Sequence, residues 1–274
     1  MSDPAGSATE NASPGGVRAL VLAASRGPDD PLARACGVRH KCLLDVGGDP
    51  MLKRVVRALK AAPSVAEIHI VIEDEAAARQ ALGTLADDVM FLSPAASAAA
   101  SVLAALEEAS RDAPTLVTTG DHALLTAEMV EDFLGARADC PHADLLVALA
   151  RREDVLRAYP DVRRTWLAFG RERVTGCNLF LFASPRALAA ARFWQRVERD
   201  RKRPWRIARA FGLWPLLRLL LLRPDVRTAF RIAGARLGIT ACPVFMHWPE
   251  AAIDVDKPDD LDLARRILQN QTAS

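Results

Sequence analysis

An α/β fold built on a mostly parallel sheet is predicted by three features of the chain. Short β-branched or leucine-rich runs recur along it, helical patterns of several turns separate them, and the runs are apolar almost throughout instead of alternating. Strands alternating with helices of that length indicate βαβ units. Strands buried on both faces have no polar face to show, which accounts for their continuous apolar character. With 274 residues, half of them apolar, the chain is long enough to bury a sizeable core.

Taken in order, residues 1–16, "MSDPAGSATENASPGG", lack the basic start and apolar centre of a signal peptide, and their Gly, Pro, Ser and Ala content predicts a disordered tail. One domain is expected over 17–274. Strands are expected at Val17 to Ala24, Ile68 to Glu73, Val89 to Leu92, Thr115 to Thr119, Leu145 to Ala150, Asn178 to Phe182 and Ala241 to Met246. Helices are expected at Pro50 to Ala61, Glu75 to Leu85, Ala96 to Ser110, Thr126 to Ala136 and Pro185 to Glu198. From about 185 to 240 the alternation lapses into helix-like sequence, which reads as a helical insertion or cap on the domain. The longest apolar run, Phe211 to Leu222, is broken by Pro215 and Arg218 and falls short of the ~20 residues a spanning helix needs.

The five cysteines are odd in number, scattered and without a C-x-x-C pair, so neither a disulfide framework nor a zinc site is expected, and a reducing cytoplasm fits best. The formal charge of +2 conceals a basic stretch from Arg192 to Arg209 in which only Glu198 and Asp200 are acidic. With Trp205 and Trp214 and the leucine-rich run that follows, residues 201–222 read either as an interfacial helix touching an anionic membrane or as a cap or dimer contact with solvated arginines. No nucleic-acid partner is expected.

In open α/β sheets, ligands bind outside the carboxyl ends of the strands. The loop after the first strand, "LAASRG" at 22–27, therefore forms a wall of the crevice, and its backbone N–H groups offer an anion site at Ala23, Ala24, Ser25 and Gly27. Lys41 stands at the mouth of the next apolar segment, either as a point charge for a phosphate or as a solvated lysine. In "LVTTGDHALLT", Gly120 and Asp121 follow a strand directly, where a carboxylate suits Mg²⁺. The other role for Asp121, capping the next helix, is better filled by Thr126. In "IDVDKPDDLDLA", Asp254 and Asp256 share one face of an extended segment, whereas Asp259 and Asp260 follow Pro258 into a helix start and suit its dipole. "TGCNLFLF" supplies Gly176 and Asn178 for a substrate hydroxyl or phosphate. His69 reads as a core residue, and His122 has no third partner to suggest a catalytic triad.

In their order and spacing these four motifs resemble the MobA-like NTP transferase family, nucleotidyltransferases with a three-layer Rossmann-like (GT-A type) fold. The resemblance covers residues 17 to about 183 and again 241 to 270. It implies that Ser25, Arg26 and Gly27 wrap a triphosphate and that Lys41 and Arg26 are catalytic, Lys41 serving the charge at the α-phosphate and Arg26, Arg34 or Arg39 supplying the charge of the arginine that the loop lacks. It further implies that Asp121 and Asp256, with Asp254 as the rival assignment, hold Mg²⁺, and that Gly176 and Asn178 face a phosphorylated acceptor. "SPAASAAASVLAAL" resembles the Ser-Val element of cytidylyltransferases in this group, which implies Ser93, Ser97 or Ser101 near the base and favours CTP. Three positions depart from the family pattern: Ser25 replaces a glycine, Asp29 stands where arginine is usual, and His40 replaces the proline before the lysine. The implied reaction is attack of a phosphorylated small molecule or lipid precursor on the α-phosphorus, expelling pyrophosphate. A glycosyltransferase of the same fold would carry a D-x-D motif, and only one Asp stands around Asp121. A non-catalytic nucleotide-binding relative is the other alternative.

Overall fold

The computed structural model describes residues 16–25, 30–108, 113–200 and 224–273. The first strand, β1 (Val17–Leu22), lies inside the sheet and pairs in parallel with β4 (Val65–Val71) on one side and β6 (Thr115–Thr119) on the other. The order across the sheet is β10 (Ala241–Phe245), β7 (Leu145–Arg151), β9 (Glu172–Phe182), β6, β1, β4 and β5 (Met90–Leu92). Only β9 in this path runs antiparallel to its neighbours, and the short β8 (Leu167–Phe169) hangs on its outer part. Each expected strand exists. β9 starts at Glu172, well before Asn178, because pairing with β7 and β8 overrides the weak strand preference of its charged first residues. A two-rung ladder of β2 (Asp45–Val46) and β3 (Asp49–Pro50) forms a separate small sheet.

Successive residues of β1 point to opposite faces, and both faces are buried. Ala19 and Val21 belong to the core that includes Leu52, Val55 and Val56 of α2 (Met51–Ala61), Leu82 of α3 (Glu75–Leu82) and Phe133 of α5 (Ala127–Gly135). Leu20 faces the other way, into the core of Val102 from α4 (Ala98–Glu108) and Ala191 from α7 (Leu188–Asp200). The result is the expected three-layer, Rossmann-like α/β arrangement. Short helices at α1 (Pro31–Ala35) and α6 (Arg152–Ala158) have too few turns to show periodicity. α1 is held by Asp30, whose side chain accepts from the N–H groups of Leu32 (3.0 Å) and Ala33 (2.9 Å).

The stretch read as a helical insertion supplies α7 and α8 (Val226–Leu237), the latter ending on Gly238 at φ +70°, a left-handed C-cap. Residues 1–15, 201–223 and the site candidates Arg26 and Gly27 lie outside the described residues, and with them the stretch read as a membrane or cap contact. Among the described residues, no helix is long and apolar enough to cross a membrane. The last helix, α9 (Pro258–Ala273), packs Leu261, Ala264 and Ile267 against Leu32, Val46 and Met51, which brings the C-terminal segment back to the carboxyl edge of β1 and β6. Asp260 accepts from the N–H groups of Asp256 and Lys257, both at 3.2 Å, and so starts this helix as the sequence reading expects.

One expectation is overturned. Cys140 and Cys242 form a disulfide with a Cα–Cα distance of 6.7 Å, joining the turn before β7 to β10. Their separation of 102 residues hides the pairing in the sequence, and the fold makes it by laying β10 beside β7. Cys36, Cys42 and Cys177 remain free thiols.

Candidate active site

The carboxyl ends of β1, β4 and β6 open into a cavity of about 1270 Å³. Ala24, Ser25, Lys41, Asp121, Asn178 and Asp254 line one part of it, and the α4 start with its Ser97 and Ser101, together with the last turns of α7, lines another. Ala23, Ser93, Gly120, Gly176 and Asp256 do not line it. Ala23 is buried and donates its N–H to Val71 O. Gly120 is a packing residue: a Cβ there would meet Ala23 Cβ at 3.0 Å and Cys42 Sγ at 3.1 Å. Gly176 is itself exposed on β9, between the buried Thr175 and Cys177 and opposite Leu149 of β7. The cradle read from the sequence is therefore smaller than expected at Ala23 and Gly120, because these strand-end residues serve the packing first.

Lys41 lies on a 3-10 turn (Lys41–Leu43) whose backbone closes by Leu44 N–H donating to Lys41 O, so its side chain reaches inward and is almost fully buried. Its Nζ stands 2.6 Å from Asp121 Oδ2 and 2.5 Å from Asp256 Oδ1. Burial alone would push the ammonium down, but the two carboxylates together outweigh it and hold Lys41 above the ordinary lysine range. A backbone bond from Val255 N–H to Asp121 O (3.1 Å) pins the C-terminal segment onto the end of β6 and sets Asp256 against Lys41. The second oxygen of Asp121 is buried without a hydrogen-bond partner.

Asp254 is held differently. Arg164, before β8, donates to its carboxylate Oδ1 and to its main-chain oxygen (2.7 Å), while Asn178 Nδ2 donates to Oδ2 at 3.0 Å. Asn178 adopts φ +49°, in the left-handed region where Asn is the commonest residue after glycine. Both Asp254 oxygens are thus engaged, and of the rival acids it is Asp256 that shares a cation with Asp121.

At the first loop, Ser25 N–H donates to both oxygens of Glu73, at 3.1 and 3.2 Å, and His40 lies buried beside Glu73 and Asp74. At the far side, Ser97 Oγ accepts from Ala100 N–H (3.2 Å) and Ser101 Oγ from Ala95 N–H (2.9 Å), so both hydroxyls cap and brace the start of α4 as well as lining the cavity. His122 is fully enclosed, its imidazole pushed down by burial, and has no part in the cavity lining. His69 is buried on β4 as expected. Arg164, Glu73 and Glu198 escape a reading of the sequence because no motif marks them: each is a single charged residue among many, and only the fold turns it toward the site.

A family model described as the MobA-like NTP transferase domain matches residues 19–210. The chain belongs to the MobA-like NTP transferase family. Among solved structures, a hypothetical transferase from Thermus thermophilus is 30% identical, with a TM-score of 0.73 over 90% of this chain and 99% of that one. A CMP:2-keto-3-deoxy-manno-octonic acid synthetase complexed with CTP shares the fold at 15% identity, with a TM-score of 0.57 over 94% of this chain and 99% of that one. Among curated proteins, 2-C-methyl-D-erythritol 4-phosphate cytidylyltransferase of Symbiobacterium thermophilum is 32% identical over 147 residues, 53% of this chain and 59% of that relative. The chain thus matches that curated relative over less than two thirds of the relative's length. Lys41, Asp121 and Asp256, three residues from three separate motifs, meet at this edge of the sheet.

Proposed function

We propose that this MobA-like protein is a Mg²⁺-dependent nucleotidyltransferase that moves CMP from CTP to a phosphorylated small-molecule or lipid-precursor acceptor. The observation that carries the reading is Lys41 held between Asp121 and Asp256 at the carboxyl edge of the sheet. Two carboxylates, one with an orphaned buried oxygen, suit an ion that keeps several waters and takes its remaining ligands from phosphates. Asp121 and Asp256 would hold it, and when bound it would neutralise the charge of the phosphates. The cytidylyltransferase at 32% identity supports CTP as the donor.

The chain's own residues then bind, orient and stabilise charge. Ser25 N–H, on leaving the Glu73 carboxylate to which it donates, receives a phosphate oxygen at the wall of the crevice. The Lys41 ammonium keeps its proton and moves its charge toward the α-phosphate, where negative charge builds on the oxygens as the bond forms. Asn178, fixed by Asp254, presents its amide to the acceptor. An acceptor phosphate oxygen forms the new bond to the α-phosphorus, the bond from that phosphorus to the bridging oxygen of the β-phosphate breaks, and pyrophosphate leaves with the electron pair. The nucleophile is already anionic, so no general base is needed, in keeping with a site that has a cation and carboxylates but no histidine in its lining. The test is pyrophosphate release with CTP, Mg²⁺ and a panel of phosphorylated sugars, polyols and lipid precursors. Absence of release with every acceptor, alongside CTP binding, would leave a nucleotide-binding protein and end the transferase reading.

A further inference from the structure

On the nucleotidyltransferase reading, Ser25, Lys41 and Asp121 take the phosphates, so the base must extend to the side of the cavity walled by the α4 start and α7. That wall is lined by Pro94, Ala95, Ala96, Ala98 and Ala100, small enough for a flat ring to approach the backbone. Among the described residues its charged groups are Glu198 and Arg199 of α7. Glu198 Oε2 accepts from Ala99 N–H at 3.1 Å, which ties α7 to the first turn of α4 and fixes the carboxylate in the wall. Its Oε1 has no hydrogen-bond partner among the described residues. The serine oxygens of the same cavity lining, Ser101 Oγ and Ser97 Oγ, already accept from Ala95 and Ala100.

We propose that Glu198 selects the base, accepting a hydrogen bond from the exocyclic amine of cytosine on Oε1. An ionised carboxylate only accepts hydrogen bonds. Cytosine offers N4–H₂ at the position where uracil offers the O4 acceptor, so the same carboxylate that binds CTP opposes the carbonyl of UTP. This assigns to the helix that opens the 185–240 insertion a part in donor choice that none of the motifs at the strand ends carries. It rests on the nucleotidyltransferase reading of the same cavity.

The experiment is calorimetric titration of the full-length protein with CTP and with UTP, each with Mg²⁺, for wild type, Glu198→Gln and Glu198→Asp. The ratio of the two dissociation constants is read, because a ratio within one preparation is unaffected by any unfolded fraction. Wild type should favour CTP by about tenfold or more, the scale of a binding site that pairs a polar group in one ligand and leaves it opposed in the other. Glu198→Gln keeps an oxygen for Ala99 N–H and gains an N–H₂ able to donate to uracil O4, so the ratio should fall to near one or reverse. Glu198→Asp keeps acceptor character and should retain a preference for CTP. Equal wild-type affinities, or a CTP preference that survives Glu198→Gln, would overturn the assignment of Glu198 and leave the transferase reading standing. Failure of wild type to bind either nucleotide would overturn both.

Discussion

Arg164 grips Asp254 twice, one guanidinium nitrogen on the carboxylate and the other 2.7 Å from the main-chain oxygen of the same residue. With Asn178 on the remaining carboxylate oxygen, Asp254 is occupied as a strut, while Asp256, two positions on, reaches Lys41. The two acids should therefore fail in different ways. Asp256→Ala should lower Mg²⁺-dependent pyrophosphate release by two orders of magnitude or more, the scale for loss of a charge-stabilising group, with little change in unfolding. Asp254→Ala leaves the nearly buried Arg164 without its main partner and should cost about 3 kcal/mol of stability. Measuring turnover and urea unfolding on both variants separates the two roles, and an unstable Asp256→Ala beside a stable, inactive Asp254→Ala would reverse them.

Lys41 poses the companion question of charge against shape. Asp121→Ala and Lys41→Ala should each cut turnover by roughly a hundredfold or more, since each removes a charge set against developing phosphate charge. Lys41→Arg should restore only part of the rate, because a planar guanidinium does not fit between two carboxylates 2.5 and 2.6 Å from an ammonium nitrogen. Wild-type kinetics for Lys41→Ala would remove Lys41 from the chemistry.

Gly120 connects the site to the core. Its N–H donates to Leu22 O, and an added Cβ would press on Ala23 and Cys42 at 3.0 and 3.1 Å, both buried and with no space to retreat. Gly120→Ala should cost about 1 to 3 kcal/mol in urea unfolding and should also slow turnover by displacing Asp121, its neighbour in sequence. Unchanged stability would mean that the β1 and β6 ends can part without cost.

These examples also show what a sequence can disclose about such a site. The placement of Lys41, Asp121 and Asp256 is legible because each sits beside a strand end or a helix start, where local apolar runs fix the position. Thr126 and Asp260 were legible as helix starts for the same local reason. The roles of Gly120 and Gly176 were not, since the meaning of a glycine depends on what approaches it, and here one is wedged and the other exposed. Arg164 and Glu198 depend wholly on long-range packing: their partners lie 90 and 99 positions away in the chain, and no local pattern encodes that distance. The Cys140–Cys242 pair belongs with them, an even subset hidden inside an odd count.

That pair leads to a prediction that can be read with a thiol reagent alone. Cys36 is exposed, whereas Cys42 and Cys177 are buried. Burial penalises the thiolate and, with Asp121 adding to it, pushes Cys42 up to about 12; burial with Asp254 nearby pushes Cys177 upward as well. A raised thiol stays protonated through neutral and mildly alkaline pH, and only the thiolate attacks the reagent. Native protein without reductant at pH 8 should thus show fast modification of Cys36 alone. Unfolding in guanidinium without reductant should bring Cys42 and Cys177 into reach and leave Cys140 and Cys242 unreactive as a disulfide, and prior reduction should release those two as well. If Cys140 and Cys242 react in guanidinium before any reductant is added, the bond between β10 and the turn before β7 is absent. If Cys42 reacts in the native state as fast as Cys36, the seal around the Lys41 turn is open, and the buried ion pair of Lys41 with Asp121 loses its support.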